Sequence, residues 1–179
     1  MQRYQQLLGI IAQKKPATII EVGTWDGERA KQMAAVILGV EGQTCHYVGF
    51  DLFENASAKT DAAELNVKAH NSKKAVSDRL KEVKQACPNR FAFDLHKGNT
   101  RKTLKGLDLS LYQRPILAFI DGGHSCATIA NDLNALMDAD TIIMDDFYIA
   151  DDSGGCPDLT KFGCNTVLET VGEEGKNYF

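Results

Sequence analysis

Short apolar runs alternate with amphipathic stretches along most of this chain. The runs predict strands at residues 17–22, 46–53, 91–95, 116–121 and 141–144. Apolar residues at helical spacing predict helices at residues 3–13, 27–38, 73–87, 101–106, 125–138 and 164–171. This alternation predicts an α/β fold with an open, mostly parallel sheet and helices on both faces.

One long polar stretch interrupts the pattern. Residues 54–72 are rich in Ala, Lys and Asn, and their only larger aliphatic side chains are Leu65 and Val67. We expect a partly helical insertion outside the core, for which a lid over a site and a solvated loop are both open interpretations. The chain is thus expected to form a single domain, residues 1–179, with this insertion and a loop-like stretch from Tyr148 to Gly163.

Composition narrows the classes of function. The 179 residues carry a net charge of −4, which argues against a broad phosphate-binding surface and so against nucleic acid as a substrate. No apolar run approaches the roughly 20 residues of a membrane span, and the N-terminus lacks a signal-peptide core. We therefore expect a cytoplasmic protein without a membrane partner. The 5 cysteines form no C-x-x-C pair and are expected to be free thiols.

The first predicted strand runs into a glycine turn, in the sequence EVGTWDG at residues 21–27. A strand, a glycine turn and a helix N-terminus together suit a nucleotide-bearing ligand, because the backbone approaches closely and its free N–H groups point at the ligand. Asp26 is expected to cap the helix that follows. Glu21 lies inside the strand, where an unpartnered carboxylate costs several kcal/mol, so we interpret it as a sign of a positively charged ligand.

Acids and glycine loops follow most of the other predicted strands. Because ligands bind at the carboxyl ends of strands in such sheets, these residues are expected to share one site. Asp51 stands about 20–25 residues after the glycine turn, where a carboxylate accepts both hydroxyls of a ribose; a helix cap or a surface acid is the alternative. Asn99 is expected near a nucleobase. Trp25 either packs on the cofactor or covers the start of the helix.

Three carboxylates follow the fourth and fifth predicted strands: Asp121, Asp145 and Asp146. Uncompensated, they would repel one another, and a divalent cation such as Mg²⁺, Ca²⁺ or Mn²⁺ resolves that conflict. The alternative is that Asp121 contacts the cofactor, Asp146 caps a turn and no metal binds. His124 follows two glycines and is either a general base for a substrate hydroxyl or a loop-shaping residue.

A dinucleotide-binding site is one alternative interpretation of the glycine turn. Its fingerprint is G-x-G-x-x-G, whereas G-T-W-D-G at residues 23–27 lacks the middle glycine. Glu21 would also repel a pyrophosphate. It suits a cofactor with an ammonium and a sulfonium group, namely S-adenosylmethionine, with a ribose at Asp51 and an adenine near Asn99. An NAD-dependent oxidoreductase is therefore disfavoured.

The chain resembles the class I S-adenosylmethionine-dependent methyltransferases, and within them the methyltransferase 24 or macrocin-type O-methyltransferases. Five motifs carry the resemblance: EVGTWDG at 21–27, GFDLFE at 49–54, KGNT at 97–100, FIDGGHS at 119–125 and IIMDDF at 142–147. It implies a Rossmann-like, three-layer α/β/α core. It also implies transfer of a methyl group (EC 2.1.1.-) to a small hydroxylated acceptor such as a sugar.

The motifs assign a role to each strand-end residue. The expected cofactor-binding residues are Glu21, Gly23, Thr24, Trp25, Gly27, Asp51, Asn99 and Asp121. The resemblance implies a divalent metal held by Asp121, Asp145 and Asp146, and His124 with Asp121 as the catalytic residues.

The sequence departs from the family pattern in three places. Cys126 stands where an aromatic residue is usual, and Ala139-Asp140 replaces a Gly-Gly turn. The family's fold normally continues with two further strands after the fifth helix, so the C-terminal strand pair is expected to be missing or truncated. Strand five would then be an edge, which a homodimer would cover. A cofactor-binding domain without catalysis is therefore the rival hypothesis.

Overall fold

A five-stranded parallel sheet forms the centre of the fold. The computed structural model describes residues 4–150, 156 and 158–172. The strands are β1 (Thr18–Val22), β2 (Cys45–Asp51), β3 (Phe91–Lys97), β4 (Ile116–Ile120) and β5 (Thr141–Met144). Their spatial order is β3-β2-β1-β4-β5, so the chain leaves β1 toward one edge of the sheet and later returns to its other side. Such a reversal point opens a crevice at the carboxyl ends of the central strands.

Helices cover both faces of the sheet. Within the described part of the chain they are α1 (Gln5–Lys14), α2 (Glu28–Leu38), α3 (Ala58–Glu64), α4 (Lys73–Ala86), α5 (Thr100–Thr103), α6 (Cys126–Leu136) and α7 (Gly163–Gly172). None of them is long and apolar enough to cross a membrane.

The sheet separates two apolar cores. Helices α1, α2 and α4 pack on one face, and α6 and α7 pack on the other. Within β1, Ile19 belongs to the first core and Ile20 to the second, because successive side chains of a strand point to opposite faces. Every residue of β1 is buried, as expected for the central strand of a parallel sheet that is covered on both sides. The predicted three-layer α/β/α fold is therefore confirmed.

The predicted element boundaries need a few corrections. The second strand ends at Asp51, and Phe53 begins a 3-10 turn over Phe53–Asn55. The helix predicted at residues 101–106 is shorter and earlier, because the Asn99 side chain caps it by accepting from the Arg101 N–H and the helical run stops at Thr103. The start of the predicted first helix at Arg3 lies outside the described residues.

Two further expectations fall partly on undescribed residues. The predicted loop from Tyr148 to Gly163 includes residues 151–155 and 157, which the structure does not describe. The expectation about a C-terminal strand pair concerns the chain after α7, where residues 173–179 are also outside the description. Within the described sheet, β5 is an edge strand.

Candidate functional site

A cavity of about 420 Å³ opens at the carboxyl ends of the central strands. The turn after β1, the end of β2 and the loop after β4 line it, together with the start of α2 and residues 60–71 of the insertion. It is lined by seven of the eight residues predicted to bind a cofactor: Glu21, Gly23, Thr24, Trp25, Asp51, Asn99 and Asp121. Residues that follow different strands therefore line one cavity, as expected for the carboxyl ends of parallel strands.

Gly23 and Gly27, the two glycines of the turn, permit different close contacts. Gly23 has φ +92°, and a β-carbon there would lie 1.9 Å from the backbone oxygen of Asp121, so only glycine lets the loops after β1 and β4 meet. Gly27, which is also predicted to bind the cofactor, is not among the residues that line the cavity. It has φ +77° and precedes α2, and a β-carbon on it would lie 2.8 Å from Val76 Cγ1. Gly27 thus lets α2 approach α4.

The predicted capping role of Asp26 is confirmed in part. Gly27 holds the N-cap position of α2, but the Asp26 carboxylate accepts a hydrogen bond from the Glu28 N–H at 2.9 Å. Arg79 of α4 holds Asp26 in place, since its Nη1 donates to the Asp26 backbone oxygen at 2.7 Å. The start of α2 is therefore fixed from outside the cavity.

Glu21 is the buried acid of the site, with 1% of its surface exposed. Its partner is Tyr47, whose hydroxyl donates to Glu21 Oε2 and lies 3.3 Å from Thr24 Oγ1. Gly49 leaves room for that hydroxyl, because a β-carbon there would lie 2.9 Å from it. Burial raises the pKa of Glu21 to about 8, although the hydrogen bond from Tyr47 opposes the shift.

Sequence reasoning found Glu21 but missed Tyr47. The register pairs Glu21 with Gly49 and Ile19 with Tyr47, so the tyrosine lies on the neighbouring strand and on the same face. An aromatic residue in a buried strand is normally a core residue, and here it is also the donor that satisfies the acid. The sequence signal for this contact is Gly49, which lies two residues after Tyr47 and pairs with Glu21 in the sheet.

Asp51 is oriented by the backbone. Its two carboxylate oxygens accept from the Trp25 N–H at 2.8 Å and the Phe53 N–H at 2.7 Å. Burial raises the pKa of Asp51, and these two donors lower it. Each oxygen keeps acceptor capacity beyond its single backbone donor, which suits a diol.

Asn99 and Trp25 also reach the cavity, each with a structural role of its own. Asn99 Oδ1 accepts from the Arg101 N–H at 3.0 Å and caps α5. Trp25 Nε1 donates to the Ala69 backbone oxygen at 2.8 Å, which ties the glycine turn to the insertion. The Lys68 ammonium lies 5.4 Å from the Trp25 ring centroid. Trp25 therefore packs against the insertion.

The three predicted metal-ligating acids do converge. One carboxylate oxygen from each of Asp121, Asp145 and Asp146 lies within 4.8 Å of the others. Burial and the neighbouring Asp145 raise the pKa of Asp121 to about 7. The Tyr4 hydroxyl donates to Asp121 Oδ2 at 3.4 Å. Three carboxylates whose oxygen atoms converge in this way are a donor set that fits a hard divalent cation.

His124 lies between this cluster and the insertion. Its Nε2 is 2.8 Å from Asp146 Oδ2, and its Nδ1 is 2.7 Å from the backbone oxygen of Glu64. Both partners accept, so both ring nitrogens donate, and the bond to Asp146 raises the pKa of His124. A ring held between two acceptors in this way has its orientation fixed by both neighbours. The geometry thus favours the loop-shaping interpretation of His124 over the general base.

Glu64, at the end of α3, attaches the insertion to the site. Its carboxylate accepts from the Ser125 N–H at 3.0 Å and from Thr128 Oγ1 at 2.7 Å, at the start of α6. Gly123 permits this contact, because a β-carbon there would lie 2.5 Å from Glu64 Oε2. None of the residues of α3 is buried, so these polar bonds hold it. Sequence reasoning missed Glu64, since an acid in a polar insertion carries no signal of a distant helix cap.

A known protein family matches most of this chain. The family described as "Methyltransferase domain" (Methyltransf_24) matches residues 20–146. No curated protein sequence matches the chain.

Two solved structures show how the chain compares with larger proteins. The calicheamicin methyltransferase CalS11 is 23% identical with a TM-score of 0.50, and the match covers 78% of this chain and 57% of that one. The Podospora anserina methyltransferase PaMTH1, solved with SAH bound, is 18% identical with a TM-score of 0.47, covering 78% and 50%. The likeness to CalS11 concerns the fold. The chain spans about half the length of these two proteins.

Glu21→Gln is expected to flatten the pH dependence of stability. In the folded protein Glu21 keeps its proton up to about pH 8, whereas the unfolded chain releases it near the ordinary value of 4.5. Between these values the unfolded state binds fewer protons, so the free energy of unfolding falls as pH rises, by up to about 1.4 kcal/mol per pH unit. Urea unfolding at several pH values measures this slope. Glu82→Gln, at an exposed site, is the control, and an equal slope in wild type and Glu21→Gln would contradict the prediction.

Glu64→Gln is expected to loosen the insertion without unfolding the core. The amide offers one acceptor where the carboxylate serves several donors, so the insertion should open about tenfold more often. Limited trypsin digestion at Lys59 and Lys68 measures this opening, with Glu41→Gln as an exposed control. Equal cleavage rates in wild type and Glu64→Gln would show that other contacts hold the insertion.

Proposed function

Because the chain belongs to the methyltransferase-domain family, and so to the class I S-adenosylmethionine-dependent methyltransferases, we propose that it transfers a methyl group from S-adenosylmethionine to a hydroxyl oxygen of a small molecule. The observation that carries the proposal is the cavity at the carboxyl ends of β1, β2 and β4, where Glu21 and Asp51 meet. A buried acid and an oriented acid in one cavity match a ligand with a cationic end and a ribose.

The residues of the cavity fit the cofactor by their chemistry. Glu21 would accept from the cofactor's ammonium group, because a buried carboxyl is stabilised as an anion by a cation. Asp51 would accept from the ribose hydroxyls, since two backbone N–H groups hold its oxygens in position. Asn99 would lie near the adenine. The bound cofactor supplies an electrophilic methyl group on a sulfonium sulfur.

A divalent cation, with Mg²⁺ as the first choice, is proposed at Asp121, Asp145 and Asp146. Their oxygen atoms fit such an ion, and an ion there would lower the pKa of an acceptor hydroxyl, so no strong base is needed. His124 then acts by holding the Asp146 carboxylate in place. The insertion supports catalysis by covering the cavity, because orientation and exclusion of water lower the barrier to transfer.

The rival function is a domain that binds the cofactor without transferring the methyl group. It is favoured only where no ion occupies the three acids, because His124 is paired with Asp146 and with the Glu64 backbone oxygen. An NAD-dependent oxidoreductase is the weaker alternative, because Glu21 would repel a pyrophosphate. Tight cofactor binding with no transfer to any of a panel of hydroxylated acceptors would favour the rival.

Asp51→Ala is expected to weaken binding of S-adenosylmethionine at least about tenfold, because a charge-assisted hydrogen bond to the ribose is lost. Calorimetric titration of wild type and variant measures the effect. Asp78→Ala removes an exposed acid of α4 and is the control. Absence of binding to wild type would overturn the proposed function, and equal affinities would remove Asp51 from the site.

Addition of Mg²⁺ is expected to raise the melting temperature of the wild-type protein, because an ion that binds only the folded state stabilises it. Asp145→Asn should abolish most of the shift, since one ligand and one charge are lost. Thermal unfolding with millimolar Mg²⁺ and with EDTA tests this, and Asp138→Asn provides an exposed control. An equal shift in all three proteins would rule out a site at these acids.

A further inference from the structure

Among the charged side chains that line the cavity, Arg29 has unpaired hydrogen-bond donors. Its Nε and Nη1 atoms are buried and have no hydrogen-bond partner among the described residues. The residue lies in the first turn of α2 and lines the cavity. Buried N–H donors are nearly always paired in folded proteins, so unpaired ones in a cavity indicate a missing acceptor.

The contact of Arg29 with Tyr4 does not supply that acceptor. The guanidinium carbon lies over the Tyr4 ring, 2.9 Å from its centroid, which is a cation–π contact. This contact leaves the Nε and Nη1 donors of Arg29 without an acceptor among the described residues. Tyr4 therefore positions the guanidinium without pairing its Nε and Nη1 donors.

The charges around Arg29 define the kind of acceptor. Most charged residues that line the cavity are acids, and apart from histidine only Arg29 and Lys68 are basic among the described lining residues. Lys68 lies at the Trp25 ring, on the insertion. Arg29 is close enough to Glu21 for its charge to oppose the upward shift of the Glu21 pKa. One part of the cavity thus holds an acid and an unsatisfied base.

We propose that Arg29 binds the α-carboxylate of the cofactor's amino-acid end while Glu21 binds its ammonium group. The proposal rests on the proposed function. An amino acid is a zwitterion, and an acid with a neighbouring unpaired guanidinium matches both of its charges. Glu21 and Asp121 line the same cavity, and an ionised acid repels a carboxylate, whereas the Arg29 guanidinium attracts it. The guanidinium also keeps its charge at every working pH, which suits recognition of a permanent anion.

Two ligands distinguish binding of the carboxylate by Arg29 from a general effect of the substitution on the shape of the cavity. S-Adenosylhomocysteine carries the amino-acid end, and 5′-methylthioadenosine has the same adenosine and thioether but no amino acid. In Arg29→Met, we expect the Kd of S-adenosylhomocysteine to rise about 10- to 100-fold, as for loss of hydrogen bonds to a charged group. The Kd of 5′-methylthioadenosine should change less than about threefold. Arg29→Lys keeps the charge and should fall between wild type and Arg29→Met.

Each outcome of these calorimetric titrations is informative. Lys31→Met removes a positive charge from the outer side of the same helix, where Lys31 pairs with Glu82, and should leave both affinities unchanged. A similar loss for both ligands in Arg29→Met, or no loss for either, would overturn the proposal. Binding of 5′-methylthioadenosine to the variant demonstrates that its cavity is folded. If wild type binds neither ligand, the proposed function fails, and the role of Arg29 fails with it.

Discussion

The burial of the Glu21 carboxyl is the constraint on which the site depends. The central strand of a parallel sheet is closed to water on both faces, so an acid there needs a partner from the protein. Tyr47 reaches it from the neighbouring strand, and Gly49 leaves the space for the contact. The result is a carboxyl that holds a proton near neutral pH and faces a cavity. Its ionisation is therefore linked to what enters that cavity.

A second constraint brings the two halves of the sheet together. The loops after β1 and β4 touch at Gly23, where no side chain fits between them. That contact places the acid of β1 beside Asp121, and Asp121 beside the acids that follow β5. The cavity thus carries groups suited to an amino acid, and Asp121 connects it to the acids after β5, whose oxygen atoms suit a metal. Both come from the ends of adjacent strands.

The fold and much of the site follow from the sequence because both depend on local patterns. Alternating strands and helices define the sheet, and residues that end adjacent parallel strands must meet, which is why Asp121, Asp145 and Asp146 were found. Contacts between segments far apart in the chain could not be derived in this way. The link from Glu64 to α6 depends on how the insertion folds back. A glycine that admits a neighbouring helix, as Gly27 admits α4, looks the same in sequence as one that admits a ligand.

The polar attachment of the insertion has a kinetic consequence. Residues 60–71 form one wall of the cavity, yet α3 buries no side chain, so this wall is held by a few hydrogen bonds to the glycine turn and to the start of α6. Segments with few apolar contacts open without global unfolding. The residence time of a molecule bound in the cavity would then depend on how often those bonds break together. Glu64, which bonds the start of α6, would thus help to set the rate at which the cavity exchanges molecules with solvent.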